Sequence, residues 1–105
     1  MDIKAIRNAV LQGTWFMSQH ARVKAGQRLI GDTDLIMALL DGEIIEDYCE
    51  DPRGHSCLVL GHTGEKRPIH IVCSLMDSEF LVLITAYEPQ PPDWVDERTR
   101  KDGEL

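Results

Sequence analysis

The sequence predicts an α+β domain: N-terminal helices packed on a four-stranded antiparallel sheet. Three observations carry this. Helical periodicity is confined to the N-terminal part of the chain, and four strand-like runs follow it in succession. Short turn signals separate those runs, which suits a meander and leaves no room for the helical crossovers of a parallel sheet.

In residues 2–12, Ile3, Ile6, Val10 and Leu11 recur at helical spacing, with Asp2 near the start and Gly13 just past the end. Residues 14–17 are short, aromatic and β-compatible, forming either a brief strand or an extended connection. Ser18 suits the N-cap of a second helix over 19–28, whose His20, Lys24 and Arg28 recur every fourth residue and share one face. Asp32 or Thr33 is placed to cap a third helix, in which Leu35, Ile36, Leu39 and Leu40 form the apolar stripe and Gly42 the stop.

The strand-like runs are 43–48, 57–61, 68–75 and 80–87, with turn chemistry at 51–54, 62–66 and 76–79. Alternation turns His70 away from Ile69 and Ile71. In the last run it puts Leu81, Leu83, Thr85 and Tyr87 on one face and Phe80, Val82, Ile84 and Ala86 on the other. Both faces are largely apolar, so the sheet is expected to carry helices on one side and a partner, a loop or the terminal segment on the other. Residues 1–94 read as one domain and 95–105 as a charged tail or short helix, after the Pro-rich stretch 89–92.

A chain of 105 residues, 43% hydrophobic and 28% charged, is sized for a single core. No run approaches the eighteen or so apolar residues of a membrane span, and the N-terminus lacks signal-peptide character, so a cytoplasmic protein with no membrane partner is expected. The net charge of −7 argues at first against nucleic acid. Its distribution argues otherwise: residues 1–28 carry +4 and residues 29–51 carry −8. The field near a cationic face, not the total, decides whether a phosphate binds.

Cys49, Cys57 and Cys73 are odd in number and fit no CxxC pair, so neither a disulfide framework nor a Cys/His metal site with His55 and His62 is expected. The P-loop, GxGxxG, HExxH, GxSxG and EF-hand patterns do not occur, which sets aside the chemistries they serve, and no cofactor or metal is expected.

The order Ser18-Gln19-His20-Ala21, Lys24, Arg28, Ile30, Asp34, Leu39, Gly42, then Glu43 to Glu46 and Tyr48, resembles the first half of the small bacterial proteins grouped as domain of unknown function 4258. Leu58-Val59-Leu60-Gly61, Pro68-Ile69-His70-Ile71-Val72, Ile84-Thr85-Ala86-Tyr87-Glu88-Pro89 and Trp94 resemble its closing strands and tail. One departure is Lys24, where the pattern usually has arginine, so an ammonium replaces a bidentate guanidinium. The resemblance implies a fold similar to the RelE and BrnT toxins. It further implies the toxin half of a type II toxin–antitoxin pair, RNA cleavage as the activity, and a cognate antitoxin, in many relatives a small zinc-finger protein, as partner.

A ribonuclease without a metal needs a base for the 2′-hydroxyl, an acid for the leaving 5′-oxygen and cations for the phosphorane charge. The residues expected in these roles are His20 and His70 as acid and base, Arg22, Lys24 and Arg28 at the phosphate, and Thr85 and Tyr87 as orienting groups. A noncatalytic module that docks a basic partner through the acidic segment or a sheet edge is the alternative. A redox or metal-sensing role for the three thiols is a third reading.

Overall fold

The computed structural model describes residues 1–52, 54–77 and 80–101. Arg53, Ser78 and Glu79, in two of the expected turns, and the end of the expected tail at 102–105 lie outside the described residues.

Helix α1 (Ile3–Gln12) begins where the Asp2 carboxylate accepts the Lys4 N–H at 2.9 Å and ends at Gly13, whose φ of 75° only glycine adopts readily. Its inward face is Ile6, Ala9 and Val10, while Leu11 points to solvent. After the short strand β1 (Trp15–Met17), α2 (Gln19–Gln27) is capped by Ser18, whose hydroxyl accepts the Ala21 N–H. It buries only Ala21 and Ala25, so its backbone lies close against the sheet.

Helix α3 (Asp32–Asp41) is capped by Gly31, not by Asp32 or Thr33. The Asp34 carboxylate reaches back to the Gly31 N–H at 3.0 Å, and acids in the first turn suit the positive end of the helix dipole. Strands β2 (Glu43–Tyr48), β3 (Ser56–His62), β4 (Pro68–Leu75) and β5 (Leu81–Tyr87) form the expected meander.

The sheet is nevertheless five-stranded and mixed, in the order β1-β5-β4-β3-β2, and not the four antiparallel strands read from the sequence. Trp15, Phe16 and Met17 pair in parallel with Leu81, Val82 and Leu83. Three residues carry too little pattern to reveal a pairing, and this partner lies far along the chain. The helices cover one face, where Ile6, Leu35, Leu39, Val59, Ile69, Ile71, Leu81 and Leu83 form the core. α3 presses on β3 so closely that a Cβ on Gly61 would fall 1.9 Å from the Ala38 carbonyl oxygen.

A bulge corrects the expected facing of β5. Val72 pairs with Thr85 and Cys73 with Leu83, which leaves Ile84 as the extra residue. Leu81, Leu83 and Ala86 therefore face the core, whereas Thr85 stands with Val72 and Tyr87 with His70 on the opposite face. One inserted residue inverts every later side chain in a period-two pattern.

The terminal segment covers part of that opposite face, with Trp94 and the Glu97 carbonyl on His70 and Arg100 on Glu46, while Phe16, Ser74, Met76, Val82 and Ile84 line a separate cleft of about 370 Å³. Residues 94–101 form a turn and not a helix: Trp94 and Arg100 make an isolated bridge, and the Val95 N–H donates to the Thr99 carbonyl at 2.7 Å. The Asp96 carboxylate accepts the N–H groups of Arg98 and Thr99, offering the backbone a local alternative to a helical turn.

Candidate functional site

A cleft of about 430 Å³ opens where the end of α2 meets the end of β5 and the tail. Arg28, Tyr87, Glu88, Gln90, Asp93, Trp94 and Arg100 line it. Arg28 is the C-cap of α2, and its Nη1 donates to the Ala86 carbonyl at 2.8 Å. Among the described residues it has no carboxylate partner, so its remaining N–H donors are available to an anion.

Arg67 holds this corner together. Its Nη2 and Nη1 donate to the carbonyls of Arg28 and Leu29 at 2.6 and 2.7 Å, and its Nε to Glu88 at 2.7 Å. A cation on the last carbonyls of a helix offsets the dipole and satisfies orphan acceptors, which helps Leu29 keep its left-handed φ of 60°. Arg67 also neutralises Glu88, the acid nearest Arg28 in sequence along the cleft wall.

Behind the cleft wall lies His70, 0% exposed. Its Nε2 is 2.7 Å from the Glu97 carbonyl and its Nδ1 is 3.3 Å from the Tyr87 hydroxyl. A carbonyl only accepts, so Nε2 carries the hydrogen and the Nδ1 lone pair receives the Tyr87 O–H. The Trp94 ring stands edge-on to the imidazole at 4.4 Å between centroids, and Tyr87 at 5.3 Å. Burial holds the His70 pKa below its ordinary value, against the opposing influence of the Glu97 carbonyl and the Glu46 charge, so the ring is neutral at pH 7. Burial likewise raises the Tyr87 phenol, opposed by the Arg100 charge and a hydrogen bond from Trp94.

A second layer fixes the first. Arg100 donates to Glu46 through Nη2 at 2.8 Å and Nε at 3.2 Å, and its guanidinium carbon lies 4.5 Å from the Trp94 ring centroid. Tyr48 also donates to Glu46. The Arg100 hydrogen bonds hold the Glu46 carboxyl below the usual carboxylate range, while burial pushes the Tyr48 phenol well up. The Trp94 ring, 3% exposed and engaged by His70 and Arg100, has no face free for a stacked base.

The structure brings together three of the residues expected from the sequence, Arg28, Tyr87 and His70, and leaves the others apart. His20 is exposed near the start of α2, about 12 Å along the helix axis from Arg28. α2 packs on the core face, whereas His70 points to the opposite one, so the sheet stands between the two imidazoles. Arg22 is engaged by Asp32 across the turn between α2 and α3. Lys24 is exposed one turn before Arg28 and is absent from the cleft wall, as is the half-buried Thr85.

Sequence reasoning missed Arg67, Glu46, Arg100 and Glu97 as members of this site. Apart from the Tyr48–Glu46 bond, the hydrogen-bond partners that place them there lie 21 to 54 residues away, and no local pattern encodes that. Trp94, Glu46 and Tyr48 stood among the residues that carry the family resemblance, which was the available signal.

The acidic run also changes meaning in three dimensions. Asp32 is paired with Arg22, Glu43 with Arg98, Glu46 with Arg100, and Asp47 with the N-terminal amine and His55. Cys57 and Cys73 face each other inside the core with sulfurs 3.9 Å apart, and Cys49 is exposed. No helix among the described residues is long and apolar enough to cross a membrane.

Fold and cleft together define a small α+β domain with three helices on one face of a mixed sheet and an arginine- and tyrosine-lined cleft at its end. The chain belongs to the family described as Domain of unknown function (DUF4258), whose model matches residues 17–88, more than half of its length. No curated protein and no solved structure matches it.

Proposed function

We propose that this domain is a metal-independent ribonuclease, the toxin half of a cytoplasmic type II toxin–antitoxin pair, and that RNA is bound in the Arg28 cleft. The observation that carries the reading is Arg28 itself, a guanidinium fixed by one bond to Ala86 and, among the described residues, in no ion pair with a carboxylate, on the wall of a cleft of about 430 Å³ that it shares with Glu88 and Asp93. Membership of the domain of unknown function 4258 family, for which a fold similar to the RelE and BrnT toxins is expected from sequence, supports the same reading. In this site the catalytic work does not pass through His20, and Lys24 contributes charge from the neighbouring turn of the helix.

The alternative, docking of a basic partner on the acidic segment, draws less support, because many of those carboxylates already hold cations of the same chain. An antitoxin partner is retained as part of the toxin reading.

The test uses purified protein and labelled single-stranded RNA in EDTA. Cleavage to products ending in 2′,3′-cyclic phosphate is expected, and Arg28→Ala is expected to weaken binding and flatten its salt dependence by about 0.7 in log–log slope, the loss of one phosphate contact. No cleavage by the wild type, or an Arg28→Ala protein that binds RNA unchanged, would overturn the reading.

A further inference from the structure

Resting on the ribonuclease reading, we propose that Tyr87 is the catalytic base and that the buried His70 is a positioning residue that accepts its proton. The hydrogen-bond directions carry this. The Glu97 carbonyl fixes the hydrogen of His70 on Nε2, which leaves Nδ1 as an acceptor aimed at the Tyr87 hydroxyl, and Tyr87 lines the cleft that holds Arg28. His70 has no contact with the cleft, so it acts only through Tyr87.

In the step this arrangement allows, the ribose 2′-hydroxyl gives its proton to the Tyr87 oxygen while the phenolic proton passes to His70 Nδ1. The 2′-oxygen forms its bond to phosphorus, and the bond from phosphorus to the 5′-oxygen breaks. The departing 5′-oxygen takes a proton from water in the open cleft, and the resulting hydroxide recovers the His70 proton through Tyr87. Charge that develops on the Tyr87 oxygen is met by the Trp94 hydrogen bond and the Arg100 guanidinium, and charge on the imidazole by Glu46 and the Glu97 carbonyl.

The groups that face His70 are Tyr87 from β5, Glu46 from β2, and Glu97 and Arg100 from the tail; its partner on β3 is the non-titrating Leu60. A neutral imidazole is the competent form, so the rate is expected to be flat across neutrality and to fall only as pH drops through the folded value, which lies below the ordinary 6.5.

The experiment compares single-turnover RNA cleavage and RNA affinity for the wild type and Tyr87→Phe, a change that keeps the ring against His70, and reads the His70 tautomer by nitrogen NMR. Expected are unchanged affinity, a cleavage rate lower by about 10²-fold or more, and an imidazole protonated on Nε2. A Tyr87→Phe protein that cleaves at the wild-type rate, one that loses affinity as much as rate, or an imidazole protonated on Nδ1 overturns the role of Tyr87 and leaves the ribonuclease reading standing. Absence of cleavage by the wild type overturns both.

Discussion

Glu46 on β2 and Arg100 on the tail meet in a two-pronged ion pair, although 54 residues separate them. Arg100 is exposed and Glu46 half-buried, and the pair anchors the tail at the outer side of the sheet. Solvent screens an ion pair exposed to this extent, so it contributes about 0.2–1 kcal/mol. Glu46→Gln is therefore expected to speed hydrogen exchange at the tail amides of Val95 and Lys101 by up to about fivefold. Because the folded carboxyl is held below its ordinary 4.5, this contribution is present above that pH and is lost as pH falls through the folded value. Unchanged exchange in Glu46→Gln would show that the tail is held by its other contacts.

His70 supplies a second acid-sensitive contribution in a different window. Its folded pKa lies below 6.5, so the unfolded chain binds more protons between the two values and stability rises with pH. The urea midpoint is expected to be flat above about pH 6.5 and to decline below it, before Glu46 begins to titrate. In His70→Phe the decline that begins below pH 6.5 should be absent, even though the variant is less stable overall.

Two glycines are expected to respond in opposite directions. Alanine at Gly61 meets the Ala38 backbone, which has no side chain to move aside, so Gly61→Ala should lower stability by about 1–3 kcal/mol or more. Gly26 lies inside α2 with open space around a built Cβ, so Gly26→Ala should raise stability by about 0.4–1 kcal/mol. Chemical denaturation of the two variants beside the wild type measures both, and a stabilising Gly61→Ala would contradict the close approach of α3 to β3.

The thiols should separate kinetically. Cys49 is exposed, whereas Cys57 and Cys73 are 0% exposed in the core. A thiol reagent is expected to modify one cysteine quickly and two only at the rate of unfolding. Three equally fast thiols would mean that β3 and β4 open locally.

The helices and the four longer strands were legible in the sequence because their signals are local: helical spacing of Ile3, Ile6, Val10 and Leu11, the Ser18 cap, and β-branched runs between turns. β1 was legible only as one of two alternatives, a brief strand or an extended connection, and its parallel pairing with β5 was not, since three residues carry no period of their own. Strict alternation placed Thr85 with Leu83, and the Ile84 bulge reversed it, because an extra residue leaves no mark on composition. The site divided along the same line. Arg28, His70 and Tyr87 were recognisable by residue type, but His20 was joined to them by its chemistry and its every-fourth-residue spacing with Lys24 and Arg28, neither of which brings it to His70.

What the sequence determined by itself was which segments are helix or strand, that a cationic stretch opens the chain, and which side chains have the chemistry for phosphate and proton transfer. Only the tertiary structure decided which of them meet. Side chains on a sheet face one way or the other, so Ala21 and Ala25 pack on one side while His70 takes Tyr87 and the Glu97 carbonyl as partners on the other. Arg67 and Arg100 reach 39 and 54 residues across the chain to complete the cleft. Such contacts follow from how helices, sheet and tail pack together, a property of the whole fold that no window of neighbouring residues contains.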